Sequence, residues 1–305
     1  MNRRAILTLL ALGGCARKPE PAPAPPPPPA TRLVLGGDVM LSRYVGRLAR
    51  RQKDPAAPLR AIAPFLSAAD IAFVNLESPF SDRGKPVERG MIFKAEPSTV
   101  EGLLLAGIDV VSTANNHARD QGGHGLEYTV RWLNQHGIQA AGTVGGEGVI
   151  LERNGVRFGF LAYTYDQSNG NYPTPDDRIA MLDIGRMTAE VARLRGRAEV
   201  VVVSMHAGDE YRPRPNRQQT DFAHAAIDSG AAVVAGHHPH VVQPVERHRD
   251  GVIFYSLGNL VFDQFQRQET QRGLLGEVVF RGAKLESFRT IPVRLRNTAP
   301  EIAGP

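Results

Sequence analysis

The chain has 305 residues, with 36 lysines and arginines against 31 aspartates and glutamates, and a formal net charge of +5. No arginine-rich stripe alternates with aromatic residues, so this mild basicity excludes the usual pattern of a nucleic-acid-binding protein. The single cysteine, Cys15, excludes a disulfide framework and a thiolate metal site.

Residues 1–14 have a basic start and an apolar stretch, residues 5–12, that is too short to span a bilayer. This segment ends in Leu-Gly-Gly-Cys and resembles a bacterial lipoprotein signal peptide. The resemblance implies cleavage before Cys15 and attachment of acyl chains, such as palmitate, to Cys15. Two or more acyl chains would anchor the protein stably to a membrane of the bacterial cell envelope, on the extracytoplasmic side.

Residues 15–30 form a linker rich in proline and alanine, which cannot bury a core. An extended spacer is the favoured interpretation, and a ligand for a proline-binding domain is the alternative. Residues 31–293 are predicted to form one large α/β domain, and residues 294–305 a C-terminal tail.

Apolar runs and helical periodicity alternate along this domain. Buried strands are predicted at residues 32–37, 71–76, 108–113, 199–205 and 231–235. Helices are predicted at residues 42–51, 97–106, 123–136, 184–195 and 218–229. Hairpins are predicted over residues 149–162 and 241–255, around Asn154-Gly155 and Asp250-Gly251. The pattern predicts a mixed sheet covered by helices, or two sheets packed face to face.

Three histidines follow the last predicted strand, in the segment Gly236-His237-His238-Pro239-His240. Open α/β sheets usually place their chemistry at this carboxyl edge, and imidazole is a ligand for Zn, Mn and Fe. A hydrogen-bonded core histidine is the alternative for any one of them. A cluster of three favours metal binding.

Polar residues follow the other predicted strands as well, namely Asp38, Glu77, Asn116 and His206. Any one of them could be only a helix cap. Together they would bring carboxylate, amide and imidazole groups to one sheet edge, a combination that suits Mn, Fe, Zn or Mg. The sequence therefore predicts a site for divalent metal ions.

Six segments occur in order along the chain: Gly37-Asp38-Val39-Met40, Asn75-Leu76-Glu77, Ala114-Asn115-Asn116-His117, His206 with Glu210-Tyr211, Gly236-His237-His238-Pro239-His240, and Tyr255-Ser256-Leu257-Gly258-Asn259 with Phe262-Asp263. They resemble the CapA family, which is associated with poly-gamma-glutamate capsule synthesis and is similar to the calcineurin-like metallophosphoesterases. The resemblance implies an α/β fold of the αββα sandwich type, with mixed sheets flanked by helices.

The same resemblance implies a two-metal site in which Glu77 bridges the ions. The other ligands would be Asp38 and His240 on one ion, and Asn116, His206 and His238 on the other. His117 would be the catalytic proton donor. Such a site can polarise a phosphoryl group and stabilise the leaving oxygen.

The sequence departs from the phosphoesterase pattern in two places. Met40 stands two residues after Asp38, where an imidazole is usual, and Glu77 stands where an aspartate is usual. A thioether is a poor ligand for hard metals, so the first ion loses one ligand. One or two bound ions are therefore expected.

Residues near these motifs are predicted to contact substrate or to orient the ligand imidazoles: Asp209, Glu210, Tyr211, Arg212 and Asn259. A polar loop, or a turn in the case of Asn259, is the alternative. His237 either ligates or forms a hydrogen bond with the backbone. Structural or surface roles are assigned to His124, His136, His224 and His248.

Two functions remain open at this point. The first is a membrane-anchored, metal-dependent hydrolase of a phosphoester or a related cell-envelope polymer bond. The second is a non-catalytic accessory protein that binds an anionic polymer, such as polyglutamate, or a membrane synthase. In the second case the polymer would be bound by the metal ions and by Arg212, Arg214 and Arg217.

Overall fold

The computed structural model describes residues 27–83, 90–143, 148–165 and 178–303. The predicted signal peptide, Cys15 and most of the proline-rich linker lie outside these residues. Within the described ranges, no helix combines the length and the apolar character needed to cross a membrane.

Two mixed sheets form the centre of the molecule. In chain order, the strands are β1 (Ala30–Val39), β2 (Ile71–Leu76), β3 (Val110–Ser112), β4 (Gln139–Ala141), β5 (Val149–Arg153), β6 (Val156–Thr164), β7 (Val200–His206), β8 (Val233–His237), β9 (Val245–His248), β10 (Gly251–Phe254), β11 (Asn259–Val261), β12 (Arg272–Arg281), β13 (Lys284–Arg296) and β14 (Ala299–Ile302). The first sheet has the order β14-β13-β12-β1-β2-β3-β4, with β11 also paired to β1, and the second has the order β5-β6-β7-β8-β10-β9. The strands β1 to β4 are parallel, as are β6, β7, β8 and β10.

Helices cover the outer face of each sheet. They are α1 (Arg43–Gln52), α2 (Ala57–Arg60), α3 (Ala63–Leu66), α4 (Val100–Leu105), α5 (Gly122–Gln135), α6 (Ile184–Arg195) and α7 (Arg217–Asp228). Apolar residues of α1 to α5 share one core with the first sheet, and those of α6 and α7 share another with the second sheet. A third core joins the two sheets. The layers therefore follow the order αββα, which confirms the predicted fold class.

Successive side chains of the central strands point to opposite faces of the sheet, and both faces are covered. The sequences of these strands therefore contain continuous apolar runs. In β7, Val200 and Val202 point into the core between the sheets, whereas Val201 and Val203 point toward the helices. Both faces of the strand are buried, and its first four positions are all valine. The predicted strand 71–76, the predicted helix 184–195 and both hairpins are confirmed.

The chain beyond residue 293 is part of the first sheet, so the predicted C-terminal tail is wrong at that boundary. The strand β13 continues to Arg296, and β14 pairs with it in antiparallel fashion. Leu295 is only 4% exposed and belongs to the core beneath the helices. Many positions of β13 are exposed and charged, so the strand has only a sparse apolar pattern from which to recognise it in the sequence.

Candidate metal centre

The residues predicted to bind metal lie together at the carboxyl edge of the parallel strands. Asp38 lies near the end of β1, Glu77 directly follows β2, and His206 ends β7. The turn after β3 carries Asn116, and the loop after β8 carries His238 and His240. All of these side chains except Asn116 are buried.

Two glycines allow the backbone to come close enough to form this edge. A Cβ at Gly37 would lie 1.9 Å from the carbonyl oxygen of Gly258, and one at Gly236 would lie 2.0 Å from that of Tyr255. No side chain fits at such distances. Because Gly37 has none, the next residue, Asp38, donates its backbone N–H to the Gly258 oxygen over 3.0 Å.

Asp38, Glu77 and His240 form the first half of the centre, with one ligand-type atom from each lying within 4.8 Å of the others. His240 Nδ1 is 3.3 Å from Asp38 Oδ2, and His240 Nε2 is 3.7 Å from Glu77 Oε1. His240 Nδ1 also lies 3.0 Å from Asn259 Oδ1. This bond to Asn259 orients the imidazole and leaves Nε2 directed at Glu77.

Asn116, His206 and His238 form the second half. His206 Nε2 lies 2.9 Å from Asn116 Oδ1, and the rings of His206 and His238 are 4.9 Å apart between centroids. The backbone is left-handed at His238 (φ 95°) and at His240 (φ 58°). Such conformations cost on the order of 1–3 kcal/mol for a residue with a side chain, and they are concentrated at functional sites.

Asn75 connects the two halves, and the sequence analysis assigned it no role. Its Nδ2 donates to Asp38 Oδ1 over 2.8 Å and lies 3.2 Å from His206 Nδ1. Its Oδ1 accepts from Asn115 Nδ2 over 3.2 Å. The signal was present in the sequence, because an asparagine inside a fully buried strand needs hydrogen-bond partners.

The pKa values of the two carboxylates of the centre are shifted in opposite directions. Burial alone would raise the pKa of Asp38, but hydrogen bonds from His237 and His240, together with their charge, bring it well below its usual range. Burial, followed by the negative charge of Asp38, raises the pKa of Glu77 well above its usual range. Two carboxylates side by side in the interior therefore call for a compensating proton or cation.

The imidazoles have the protonation state that metal binding requires. Burial lowers the pKa of His206 well below its usual value, and the charge of His238 adds to the effect. Burial and the charge of His240 lower the pKa of His238 to about 3. Both rings are therefore neutral near pH 7 and offer a lone pair.

The site fits a divalent cation on two counts. Glu77 Oε1 and His238 Nδ1 are buried without a hydrogen-bond partner among the described residues, which is costly unless another group satisfies them. The 2.9 Å between His206 Nε2 and Asn116 Oδ1 is also close to the separation, about 3 Å, of adjacent ligands that each lie about 2.1 Å from one ion.

The ring of His117, the predicted proton donor, contacts Phe93 and Asp120. Its ring stacks on Phe93 with centroids 3.9 Å apart, and its Nδ1 lies 2.7 Å from Asp120 Oδ2. Asp120 is fully buried and also accepts the backbone N–H of Phe93 over 2.6 Å. The sequence analysis did not single out Asp120, although its position three residues after His117 was a usable signal.

The loop after β7 reaches the centre through Tyr211. Its ring lies 6.3 Å from that of His240, and its backbone N–H donates to the Pro239 oxygen over 2.8 Å. Glu210 is exposed, and its charge contributes to the raised pKa of Glu77. Asp209 accepts a hydrogen bond from Asn216 Nδ2, and the backbone carbonyl of Arg212 accepts one from Gln243 Nε2.

His237 and Met40 are both fully buried beside the centre. His237 Nδ1 lies 3.4 Å from Asp38 Oδ1, and the ring faces Phe73 in the core between the sheets. Met40 belongs to the apolar core beneath the helices, and its Sδ accepts the backbone N–H of Ser42 over 3.1 Å. The Met40 side chain therefore packs in an apolar core two residues after Asp38.

Comparison with known families and proteins agrees with these motifs. Residues 32–264 match the family described as bacterial capsule synthesis protein PGA_cap. The chain is 30% identical over 248 residues to the capsule biosynthesis protein CapA of Bacillus anthracis, covering 76% of this chain and 60% of that protein. It is 31% identical over 238 residues to the PGA biosynthesis protein CapA of Bacillus subtilis, covering 75% and 62%. The chain thus spans about three fifths of the length of these relatives.

Solved structures share the fold at low sequence identity. A hypothetical protein from Thermus thermophilus superposes with a TM-score of 0.56 and 18% identity, covering 86% of this chain and 98% of that one. A putative 5'-nucleotidase from Staphylococcus aureus superposes with a TM-score of 0.53 and 14% identity, covering 91% and 55%. The family match extends over most of the domain and contains every residue of the centre, so the chain belongs to the bacterial capsule synthesis protein PGA_cap family, as its motifs predicted.

Proposed function

We propose that this protein binds divalent metal ions at the carboxyl edge of its sheets and acts in the synthesis of a capsule-type anionic polymer. The observation that carries the metal site is the burial of Glu77 Oε1 and His238 Nδ1, which have no hydrogen-bond partner in the described part of the chain. The two Bacillus relatives are named for capsule and PGA biosynthesis, which supports the proposed role in polymer synthesis.

Six side chains would hold the ions: Asp38, Glu77, Asn116, His206, His238 and His240. Glu77 would be shared, since it lies beside His240 and is linked through Asn75 to the second half of the centre. A mixture of carboxylate, amide and imidazole favours Mn, Fe, Zn or Mg, and the buried Met40 adds no strong ligand.

The reaction that best suits this arrangement is hydrolysis of a phosphoester or of a related bond in an envelope polymer. A bound divalent ion would supply Lewis-acid polarisation of the oxygen atoms at the reacting group. Asp120 holds the His117 ring at Nδ1, and His117 would give the proton to the leaving group. The Phe93 ring stacks on the His117 ring and shields one of its faces from water.

A second function, binding of the polymer without cleavage, is favoured by one observation. Met40 occupies the position of a usual metal ligand, so the first ion would have fewer protein ligands than a hydrolase normally provides. A related protein of Mycobacterium tuberculosis, 29% identical over 218 residues with 65% of this chain and 57% of that one covered, is named a probable polyglutamine synthesis accessory protein. Exposed arginines 212, 214 and 217 would then contact the carboxylates of the polymer.

The metal site is tested by measuring bound Mn and Zn in the purified protein by mass spectrometry after dialysis. We expect His238→Ala and Glu77→Gln each to lose at least one ion per chain, and the surface variant His136→Ala to keep the wild-type content. Wild-type protein that binds no divalent ion would refute the site.

The two functions are separated by hydrolysis of bis-p-nitrophenyl phosphate with Mn²⁺ present. A hydrolase should lose activity by about 10²-fold or more in His117→Ala, the usual scale for general acid catalysis, while its metal content stays unchanged. Absence of hydrolysis in a metal-loaded wild type, together with metal-dependent binding of polyglutamate, would instead support the accessory function.

We also propose that Cys15, which lies outside the described residues, carries the lipid anchor, and that residues 15–30 hold the domain away from the membrane surface. The protein would then act in the bacterial cell envelope, close to a membrane synthase. Expressed in a bacterium, wild type should partition into the detergent phase of Triton X-114, and Cys15→Ser should not. Equal partitioning of the two would refute the anchor.

A further inference from the structure

A second group of metal-type side chains lies on another part of the molecule. His224 is on α7, and Glu246 and His248 are on β9, the edge strand of the second sheet. Glu246 and His248 are two residues apart and so share one face of that strand. In the sequence these histidines lack a partner motif, and structural or surface roles were therefore predicted for them. The chain separates His224 from Glu246 by 22 residues.

The three side chains are close enough to bind one ion. One ligand-type atom from each lies within 4.8 Å of the others. His224 Nε2 is 3.0 Å from Glu246 Oε1, His248 Nδ1 is 3.8 Å from the same oxygen, and the two rings stack 4.2 Å apart. Their side chains are 38%, 38% and 22% exposed, in the order His224, Glu246, His248, so an ion can enter from solvent and small side-chain rotations can close around it.

Asp228 and Tyr255 form hydrogen bonds that orient two of the three proposed ligands, His248 and Glu246. Asp228 Oδ1 lies 2.9 Å from His248 Nε2, which leaves His248 Nδ1 free to ligate. Tyr255 donates its hydroxyl to Glu246 Oε2 over 2.7 Å, which leaves Oε1 directed at the histidines. Burial opposes ionisation of Glu246, but the bonds from Tyr255 and His224 keep its pKa below the usual value. Histidine backed by a carboxylate is a recurring arrangement around protein-bound zinc.

We propose that His224, Glu246 and His248 bind a divalent ion of the Zn²⁺ class, with water in the remaining position, and that this ion ties α7 to the edge strand β9. Two imidazoles with one carboxylate form a ligand set that Zn²⁺ accepts. This site is independent of the metal centre and of the proposed function, since no residue is shared between them.

The chain offers a matched control for this proposal. His124 is also a partly exposed histidine paired with one carboxylate, with its Nε2 2.8 Å from Asp82 Oδ1. No second imidazole completes a ligand group around His124 among the described residues. His124 therefore reproduces the ion pair without the proposed metal site.

The test is a titration with Zn²⁺ alone, monitored by calorimetry. It uses the His238→Ala protein, in which ion binding at the metal centre is weakened. Adding His224→Ala or His248→Ala should remove one bound ion per chain, whereas adding His124→Ala should remove none. Asp228→Asn should keep the stoichiometry and weaken Zn²⁺ binding by about 10–100-fold, the usual effect of removing a carboxylate behind a ligating histidine.

Thermal unfolding supplies a second readout, because a ligand that binds only the folded state raises the melting temperature. Zn²⁺ should raise the melting temperature of the His238→Ala protein, and this rise should disappear with His224→Ala or His248→Ala. The proposal is overturned if His224→Ala and His248→Ala leave the number of bound ions unchanged, or if His124→Ala lowers it equally. A lower metal content in the single variant His238→Ala reports on the metal centre and not on the site of His224, Glu246 and His248.

Discussion

At the scale of single residues, neutral amides hold the charged groups of the metal centre in position. Asn75 bonds to Asp38 and contacts His206, and Asn259 fixes the Nδ1 side of His240. Amide groups can do this without adding charge to an interior that already contains two carboxylates. We therefore expect the proposed binding of metal ions at the centre to depend on residues that are not ligands.

Replacement of Asn259 by alanine should show this dependence. Without its Oδ1, the imidazole of His240 loses the bond that directs Nε2 toward Glu77. We expect Mn²⁺ affinity, measured by calorimetry, to fall by about 10–100-fold. The control is Asn134→Ala on the exposed side of α5, which should leave the affinity unchanged. An unchanged affinity in Asn259→Ala would contradict the role of this contact.

Met40 is the second residue whose replacement is informative. It is fully buried in an apolar core that includes Phe93 and Phe262. Met40→His would bury an imidazole without a partner, and we expect the metal-free protein to lose about 2 kcal/mol of unfolding free energy. Mn²⁺ should recover part of this loss, because the new imidazole follows Asp38 by two residues and can join the first ion.

The measurement for Met40 is thermal unfolding with and without Mn²⁺, with Met40→Leu as the volume-conserving control. Met40→Leu should change stability less than Met40→His, and Mn²⁺ should shift it no more than it shifts wild type. If Mn²⁺ shifts Met40→His and Met40→Leu equally, the added imidazole does not reach the ion.

At the scale of secondary-structure elements, one carboxylate joins three strands of the first sheet. Glu277 on β12 accepts from Arg32 on β1 over 2.6 Å and from Arg289 on β13 over 2.5 Å. The Glu277 side chain is only 7% exposed. Burial opposes its ionisation, but the two arginines bring its pKa below the usual value of 4.5. These strands anchor β1, which carries Asp38 at its far end.

Glu277→Gln should lower the unfolding free energy at pH 7 by about 2 kcal/mol, the scale of hydrogen bonds to charged groups. A carboxyl whose pKa is lower in the folded state stabilises the fold above its unfolded pKa, and this stabilisation is lost as the pH falls below about 4.5. Urea unfolding of wild type and variant should therefore converge in acid. The exposed pair Arg281–Glu286 on the same hairpin provides the control, and Glu286→Gln should have a much smaller effect. A difference between wild type and Glu277→Gln that stays constant from pH 7 to pH 3 would contradict this account.

At the scale of the whole molecule, four layers form one packed unit that includes the C-terminal strands. The strand β14 pairs with the end of β13, and Val293 and Leu295 lie in the core beneath the helices. Leu295 thereby packs in the same apolar cluster as Met40 and Phe93. The strand β13 and the residue that follows Asp38 by two positions thus contribute to one apolar core.

A chain ending at residue 293 tests this arrangement. It lacks β14 and the buried Leu295, and we expect it to lose several kcal/mol of unfolding free energy, because a large apolar side chain and a strand pairing are removed together. Urea unfolding compares it with a chain ending at residue 303, which should behave as wild type. Equal stability of the two truncated chains would show that the last strands are dispensable.

The sequence by itself determined the layered α/β fold and the residues of the proposed ligand set. Apolar runs such as residues 71–76 and 200–206 marked strands buried on both faces, and polar residues directly after them marked a single sheet edge. Local order along the chain is sufficient for this, because parallel strands bring their carboxyl ends together. The metal-type residues Asp38, Glu77, Asn116, His206, His238 and His240 were identified on that basis and lie together in the structure.

Only the tertiary structure decided which non-ligands complete the centre and where a second cluster forms. Asn75 contacts both halves of the centre, and Asp120 contacts His117 within one turn. The rings of His224 and His248 stack only because α7 packs beside β9. The half-exposed strands β13 and β14 gave too sparse an apolar pattern to be recognised. For Asn75, for His224 and for the C-terminal strands, the deciding interaction joins residues from different elements, and pairings of this kind leave no periodic signal in the sequence.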